Sequence, residues 1–139
     1  MSMDYYNKHA HSFFENTVSV PMDALYDSFL ERLGPRAHIL DAGCGSGRDT
    51  KAFLGLGYQV TAFDASEKLA ALARRYTGQE ILVRTFDQVD EEACYDGIWA
   101  CASLLHVPVR DLPWTMGKFG RALKSGGSWY VSFKYGHGE

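Results

Sequence analysis

The stretch "HILDAGCGSGRDT", His38 to Thr50, constrains this chain more than any other. A short apolar run leads into Asp41, and Gly43, Gly45 and Gly47 then alternate with small residues. Each glycine costs backbone entropy, so such a cluster marks a tight turn or a close approach of main chain to a ligand. "HIL" begins a short buried strand, and Thr50 to Leu54 continue a helix out of the turn, limited by Gly55 and Gly57. A glycine turn between a strand and a helix is the opening unit of a parallel α/β sheet.

The rest of the chain repeats that alternation. "YQVTAF" reads as a second strand ending at Asp64, and Ser66 caps a helix whose face carries Leu69, Leu72, Ala73 and Tyr76. "EILVRTF" is a third strand, and "YDGIWACA" a fourth, apolar enough to be buried on both faces. Leu112, Met116, Phe119 and Leu123 stripe a further helix with Asp111 as its cap. Gly126 and Gly127 then turn the chain into a fifth strand, "SWYVSF". Ahead of all this, Tyr6, Ala10, Phe13 and Phe14 fall at helical spacing, as do Met22, Leu25, Phe29 and Leu33 after Pro21. One domain is expected over residues 1–139, with N-terminal helices over 1–34 and an α/β core over 37–134. The fold class is Rossmann-like: a doubly wound parallel sheet in a three-layer α/β/α stack. Right-handed crossovers place every strand's C-terminal end on one side, and the glycine turn at the crevice where strand order reverses.

The totals narrow the function classes. A hydrophobic content of 46% and an aromatic content of 14% argue for a packed core and against disorder. The formal charge of −3, with fourteen scattered Lys and Arg, does not suggest a nucleic-acid binder. No apolar run is long enough to span a membrane, and "MSMDYYNKHAH" has no apolar leader segment. Cys44, Cys94 and Cys101 are odd in number without CxxC spacing, which fits reduced thiols in a cytoplasmic protein. His9, His11, His38 and His137 show no metal-ligand spacing, so no metal is expected.

Two ligand readings compete at the glycine turn. The dinucleotide fingerprint is G-x-G-x-x-G, whereas this chain reads G-x-G-x-G and places Arg48 at the third fingerprint position. That counts against NAD without excluding it, and the absence of Gly-Lys-Ser/Thr excludes a P-loop. Asp64 stands where an acid accepts both ribose hydroxyls of an adenosine, a geometry that serves NAD and S-adenosylmethionine alike.

"ILDAGCGSG", "VTAFDAS", "YDGIWACASLLHV" and "LKSGGSWYVSF" resemble, in order and spacing, successive motifs of the class I S-adenosylmethionine-dependent methyltransferases over about Ala37 to Phe133. The "GSGRD" turn and "SFKYGHGE" end look most like the small-molecule branch that includes tellurite-resistance-type enzymes. The resemblance implies S-adenosyl-L-methionine as cofactor, S-adenosyl-L-homocysteine as product and a small-molecule acceptor. It also implies contacts by position. Asp41, Gly43, Cys44 and Gly45 would face the methionine part, and Asp64 the ribose, with Ala65 and Ser66 beside it. Phe86 and Asp87 would lie near the adenine, and Cys101 or Ala102 would close over the cofactor. Arg48 would reach the cofactor carboxylate or stay a solvated first-turn residue. Tyr6 and Phe14 would help close the site or simply pack their helix, and Tyr5 is weighed with them. His106, after the fourth strand, is the single candidate catalytic base, with a structural histidine as its alternative.

Methyl transfer from a sulfonium releases a neutral leaving group, so alignment and exclusion of water matter more than proton transfer. A base is needed only where the acceptor must lose a proton. Enzymes of this class usually add a C-terminal antiparallel hairpin beside strand five, and this chain ends shortly after that strand. The expectation is therefore a truncated member with an apolar fifth-strand edge. A longer parent chain, a homodimer through that edge, or helical cover would satisfy it. Three functions stay open at this point: a small-molecule methyltransferase, a cofactor-binding module without turnover, and a nicotinamide-dependent oxidoreductase.

Overall fold

The computed structural model describes residues 22–101 and 109–132, and every structural statement below concerns these. The elements run α1 (Asp23–Leu30), β1 (His38–Ala42), α2 (Arg48–Gly55), β2 (Gln59–Asp64), α3 (Glu67–Thr77), β3 (Leu82–Val83), β4 (Tyr95–Cys101), α4 (Leu112–Ala122) and β5 (Leu123–Ser132). Short 3-10 turns cover Phe86–Gln88 and Val109–Asp111. The strands form one sheet in the order β3-β2-β1-β4-β5, and all four pairings are parallel. Winding runs outward from β1 in both directions, so the order reverses between β1 and β4. The crevice above their C-terminal ends is where a doubly wound sheet receives its ligand.

Alternation along the strands builds two cores. Leu40 and Ala42 of β1 with Ile98 and Ala100 of β4 face Phe119 and Ala122 of α4. Ile39 and Trp99 point the other way, onto Tyr26, Phe29 and Leu30 of α1 and Phe53 of α2. A smaller cluster of Ala62, Ala70, Ala73 and Ile81 seats α3 against β2. The result is the three-layer stack expected. Each fully buried aromatic or branched side chain contributes about 1.5–3 kcal/mol. Gly97 sets the distance of α1, because a Cβ there would meet Phe29 Cζ at 2.7 Å. Among the described residues no helix is long and apolar enough to cross a membrane.

Four local expectations are corrected. Leu25 is 40% exposed, and the buried face of α1 is Tyr26, Phe29 and Leu30. Met22, Phe29 and Leu33 of the expected stripe do pack on this core, and Tyr26, whose ring meets Phe53 and Trp99, takes the place expected of Leu25. The third strand shrinks to Leu82–Val83, since the capping box of Thr85 and Gln88 opens a 3-10 turn directly after it. Gly126 and Gly127 lie within β5, where Tyr95 pairs with Leu123 but Gly97 pairs with Ser128. The extra residues form a bulge that needs glycine: Gly126 has φ +81, and a Cβ on Gly127 would meet Asp96 O at 2.8 Å. Asp111 occupies the N-cap of α4, but its backbone is already helical and its side chain makes no capping bond. Ser66 does cap α3, accepting the Leu69 N–H at 3.2 Å.

Candidate functional site

The loop between β1 and α2 is held by main-chain geometry. Gly43, Gly45 and Gly47 all take positive φ, at +74, +56 and +93, conformations that cost a side-chain-bearing residue about 1–2 kcal/mol each. Cys44 N–H donates to Phe63 O at 2.8 Å and ties the loop to β2. Gly47 is the close-approach glycine. A Cβ there would meet Thr77 Cγ2 at 2.9 Å and Ala73 Cβ at 3.1 Å on α3. Helix α2 therefore leaves the loop against α3, and Arg48, one position later, points elsewhere. The residue at the third fingerprint position is thus not the one that meets α3.

Two acids flank the loop. Asp64 ends β2 and accepts two main-chain N–H groups: Gly45 on Oδ1 at 3.0 Å and Ser66 on Oδ2 at 2.9 Å. A carboxylate offers about four lone-pair sites, so each oxygen keeps capacity for a further donor. Burial raises the Asp64 pKa above the usual carboxylate range, against the lowering effect of the Ser66 and Gly45 bonds. Asp41, the penultimate residue of β1, is 1% exposed and accepts the Thr50 hydroxyl at 2.6 Å. Burial first, and the neighbouring Asp49 charge second, push its pKa up to about 8. Burial and the Asp49 charge thus favour the protonated form of this carboxyl, and a cation placed beside it would favour the ionised form. Burial likewise pushes the Cys44 thiol up, with Asp41 and Asp64 adding to it, which suits a small loop residue and not a nucleophile.

Asp41, Gly43, Cys44, Gly45, Asp64 and Ser66 are thus brought into one continuous cluster above β1 and β2, with Ala65 half-buried next to Asp64. Arg48 and Cys101 meet each other across the β1–β4 crevice, Arg48 Nη2 donating to Cys101 Sγ at 3.8 Å. Phe86 packs edge-on against Phe63 at 5.7 Å and lies 6.0 Å from Phe119. Asp87 is exposed and accepts the Thr85 hydroxyl. Tyr5, Tyr6, Phe14, Ala102 and His106 lie outside the described residues. Among the described residues no three His, Cys, Asp or Glu side chains gather as a metal site.

Sequence reasoning missed Asp49, Thr50, Tyr26 and Trp99. Asp49 is buried, and its carboxylate gathers the Tyr26 hydroxyl, Trp99 Nε1 at 2.8 Å and the Arg48 fork. The available signal was an acid in the first turn of a helix on a loop destined for burial. A buried carboxylate needs donors, but their positions, 23 and 50 residues away, are a tertiary matter.

With this geometry in view, comparison with known proteins is direct. A family model described as a methyltransferase domain matches residues 39–127. The ubiquinone biosynthesis O-methyltransferase of Xanthomonas oryzae pv. oryzae is 30% identical over 125 residues, covering 81% of this chain and 51% of its own length. Among solved structures, the Burkholderia thailandensis 1,6-didemethyltoxoflavin-N1-methyltransferase, with its namesake compound and S-adenosylhomocysteine bound, superposes with a TM-score of 0.76 at 26% identity. The alignment covers 98% of this chain and 62% of that one. The DhpI-SAM-HEP complex superposes at 0.71 and 27% identity, covering 90% and 60%. This chain spans about half the length of the relative and about three fifths of those structures. A match over most of the chain, with the glycine turn, both flanking acids and all of the first four strands but His38 inside it, places this protein in the methyltransferase-domain family.

Proposed function

We propose that the chain binds S-adenosylmethionine above β1, β2 and β4 and transfers its methyl group to a small molecule. The observation that carries this is the cluster itself: a bare glycine loop at the switch point, flanked by two largely desolvated acids. The donor set fits that molecule. It bears an ammonium and a sulfonium, and no phosphate needs neutralising.

When bound, the cofactor supplies a methyl group on a positively charged sulfur that departs as a neutral thioether. The chain's residues bind and orient. Asp41 balances the ammonium, and the main chain at Gly43, Cys44 and Gly45 lines the methionine part. Asp64 accepts the ribose hydroxyls on the lone pairs its loop bonds leave, with Ala65 and Ser66 alongside. Phe86 and Asp87 border the adenine, and Cys101 and Ala102 cover the cofactor. Tyr6 and Phe14 close the mouth and exclude water. His106 takes the acceptor's proton where the acceptor has one to lose.

Two of the proteins named above are an O- and an N-methyltransferase, which supports a small-molecule acceptor. Within that group the "GSGRD" turn supports a tellurite-resistance-type placement. Family membership leaves the nicotinamide alternative without support. β5 is an edge strand of the sheet, which supports a homodimer through that edge. Sedimentation showing only monomer at micromolar concentration would remove the dimer. Calorimetric titration with S-adenosylmethionine, S-adenosylhomocysteine and NAD tests the cofactor: the first two should bind and NAD should not. Transfer of labelled methyl to a panel of hydroxyl, amine, thiol and metalloid acceptors tests turnover. Binding with no transfer to any member would favour a module that holds the cofactor without turnover.

A further inference from the structure

Asp49 is a buried acid that the functional reading above leaves without a task. Its Oδ1 accepts the Tyr26 hydroxyl of α1 and Arg48 Nε at 2.8 Å. Its Oδ2 accepts Trp99 Nε1 of β4 at 2.8 Å and Arg48 Nη2 at 3.1 Å. Four donors fill the accepting capacity of one carboxylate. Asp49 therefore takes no ligand cation itself, and whatever it does for a ligand it does through a neighbour.

That neighbour is Arg48. The two-point pairing holds the guanidinium in one orientation, with Nη2 reaching the Cys101 sulfur at the top of β4. The Arg48 side chain keeps 19% of its surface in solvent, while Asp49 keeps 10%. Trp99 and Tyr26 anchor the other edge of the carboxylate: Trp99 lies flat on Tyr130 with ring centroids 4.1 Å apart, and Tyr26 meets Trp99 at 5.5 Å. Rigid aromatic packing thus fixes the acid, and the acid fixes the arginine across the crevice between β1 and β4. A planar fork held this way suits recognition of a carboxylate better than a mobile cation does.

We infer that Asp49 is a positioning residue, which holds Arg48 at the β1–β4 crevice to receive the carboxylate of the cofactor's amino-acid end. The inference rests on the cofactor reading above. It predicts discrimination between S-adenosylhomocysteine, which has that end, and 5′-methylthioadenosine, which lacks it. A residue that merely staples the fold would move both affinities together.

The test is calorimetric titration of the full chain with both compounds, for wild type, Arg48→Met, Arg48→Lys, Asp49→Asn and the Arg48→Met/Asp49→Asn double variant. Each single variant should lose about tenfold in affinity for S-adenosylhomocysteine and less than twofold for 5′-methylthioadenosine. The double variant should be no worse than Arg48→Met, since the two residues act as one unit. Arg48→Lys leaves Asp49 in place and keeps the charge, so it tests the fork even if Asp49→Asn folds poorly. Parallel loss for both compounds in Asp49→Asn, additive losses in the double variant, or an unchanged ratio in Arg48→Lys would overturn the positioning role alone. A wild-type chain that binds neither compound would overturn the cofactor reading and this inference with it.

Discussion

At the lower rim of the sheet, Asp96 near the start of β4 accepts the His38 main-chain N–H at 2.9 Å and lies 3.5 Å from the Lys124 ammonium. Its side chain is 37% exposed, and the His38 bond leads the causes that hold its pKa below the usual range. At the upper lip, Asp41 near the end of neighbouring β1 is 1% exposed and pushed up to about 8. Asp64, at the end of β2, is also raised. The same residue type on adjacent strands is stabilised below and strained above. The lower acid is served by donors and water, so it contributes to the fold as it stands. The upper acids pay for desolvation that their own donors do not fully offset, an arrangement that makes sense where a cationic ligand completes it.

Four changes would break or sharpen that contrast. Gly47→Ala should act most strongly, because it combines a positive φ with a 2.9 Å approach to Thr77 Cγ2. A loss of about 2–4 kcal/mol is expected, lowering Tm by roughly 10 °C in thermal unfolding. An unchanged Tm would mean the loop does not pack on α3 as described. Asp64→Ala should weaken S-adenosylmethionine by about 100-fold, since charged hydrogen bonds contribute about 1.5–3 kcal/mol each. Equal affinity in calorimetry would remove Asp64 from the ribose.

Asp41→Asn tests the strained acid itself. The folded pKa lies near 8 and the ordinary value is 3.8, so between them the native state holds a proton that the unfolded chain has lost. Stability from this group therefore falls as pH rises through that window, and is fully lost above about pH 8. The asparagine variant should flatten that slope and raise the ligand-free Tm at pH 9 by about 4 °C or more, while weakening cofactor binding. In the wild type, a cation beside Asp41 lowers its pKa, so binding near pH 7 should release a proton. Titration in two buffers of different ionisation enthalpy reads that release, and identical heats would place the ammonium elsewhere.

Lys124→Ala at the lower rim should do least, within about 0.5 kcal/mol, as exposed ion pairs usually do. Asp96 has the opposite sign to Asp41. Its folded pKa is depressed, so its contribution is present above the ordinary carboxylate range and fades as pH falls through the folded value. A large Tm loss at pH 7 in Lys124→Ala would erase the distinction between the two ends.

Much of the fold was readable from pattern because its signals are local. Glycines at 43, 45 and 47, the Ser66 cap and the apolar runs of β1, β2 and β4 each report a backbone conformation or a face within a few residues. Leu25 misled because spacing identifies an apolar stripe but not which part of it meets the sheet. The bulge at Gly126 and Gly127 was missed because it depends on the register against β4, and the short third strand because a capping box competes with the sheet ladder.

The sequence by itself determined the alternation of strands and helices, the glycine turn and the acids near the ends of β1 and β2, since periodicity and backbone freedom are properties of neighbouring residues. Only the tertiary structure decided that Asp49 is the hub of the crevice, that Gly47 and not the next residue meets α3, and that Asp41 sits deep enough for burial to raise its pKa. Those outcomes depend on which distant groups reach a side chain and how much water they displace, and burial is a property of the assembled layers, not of the order of residues along them.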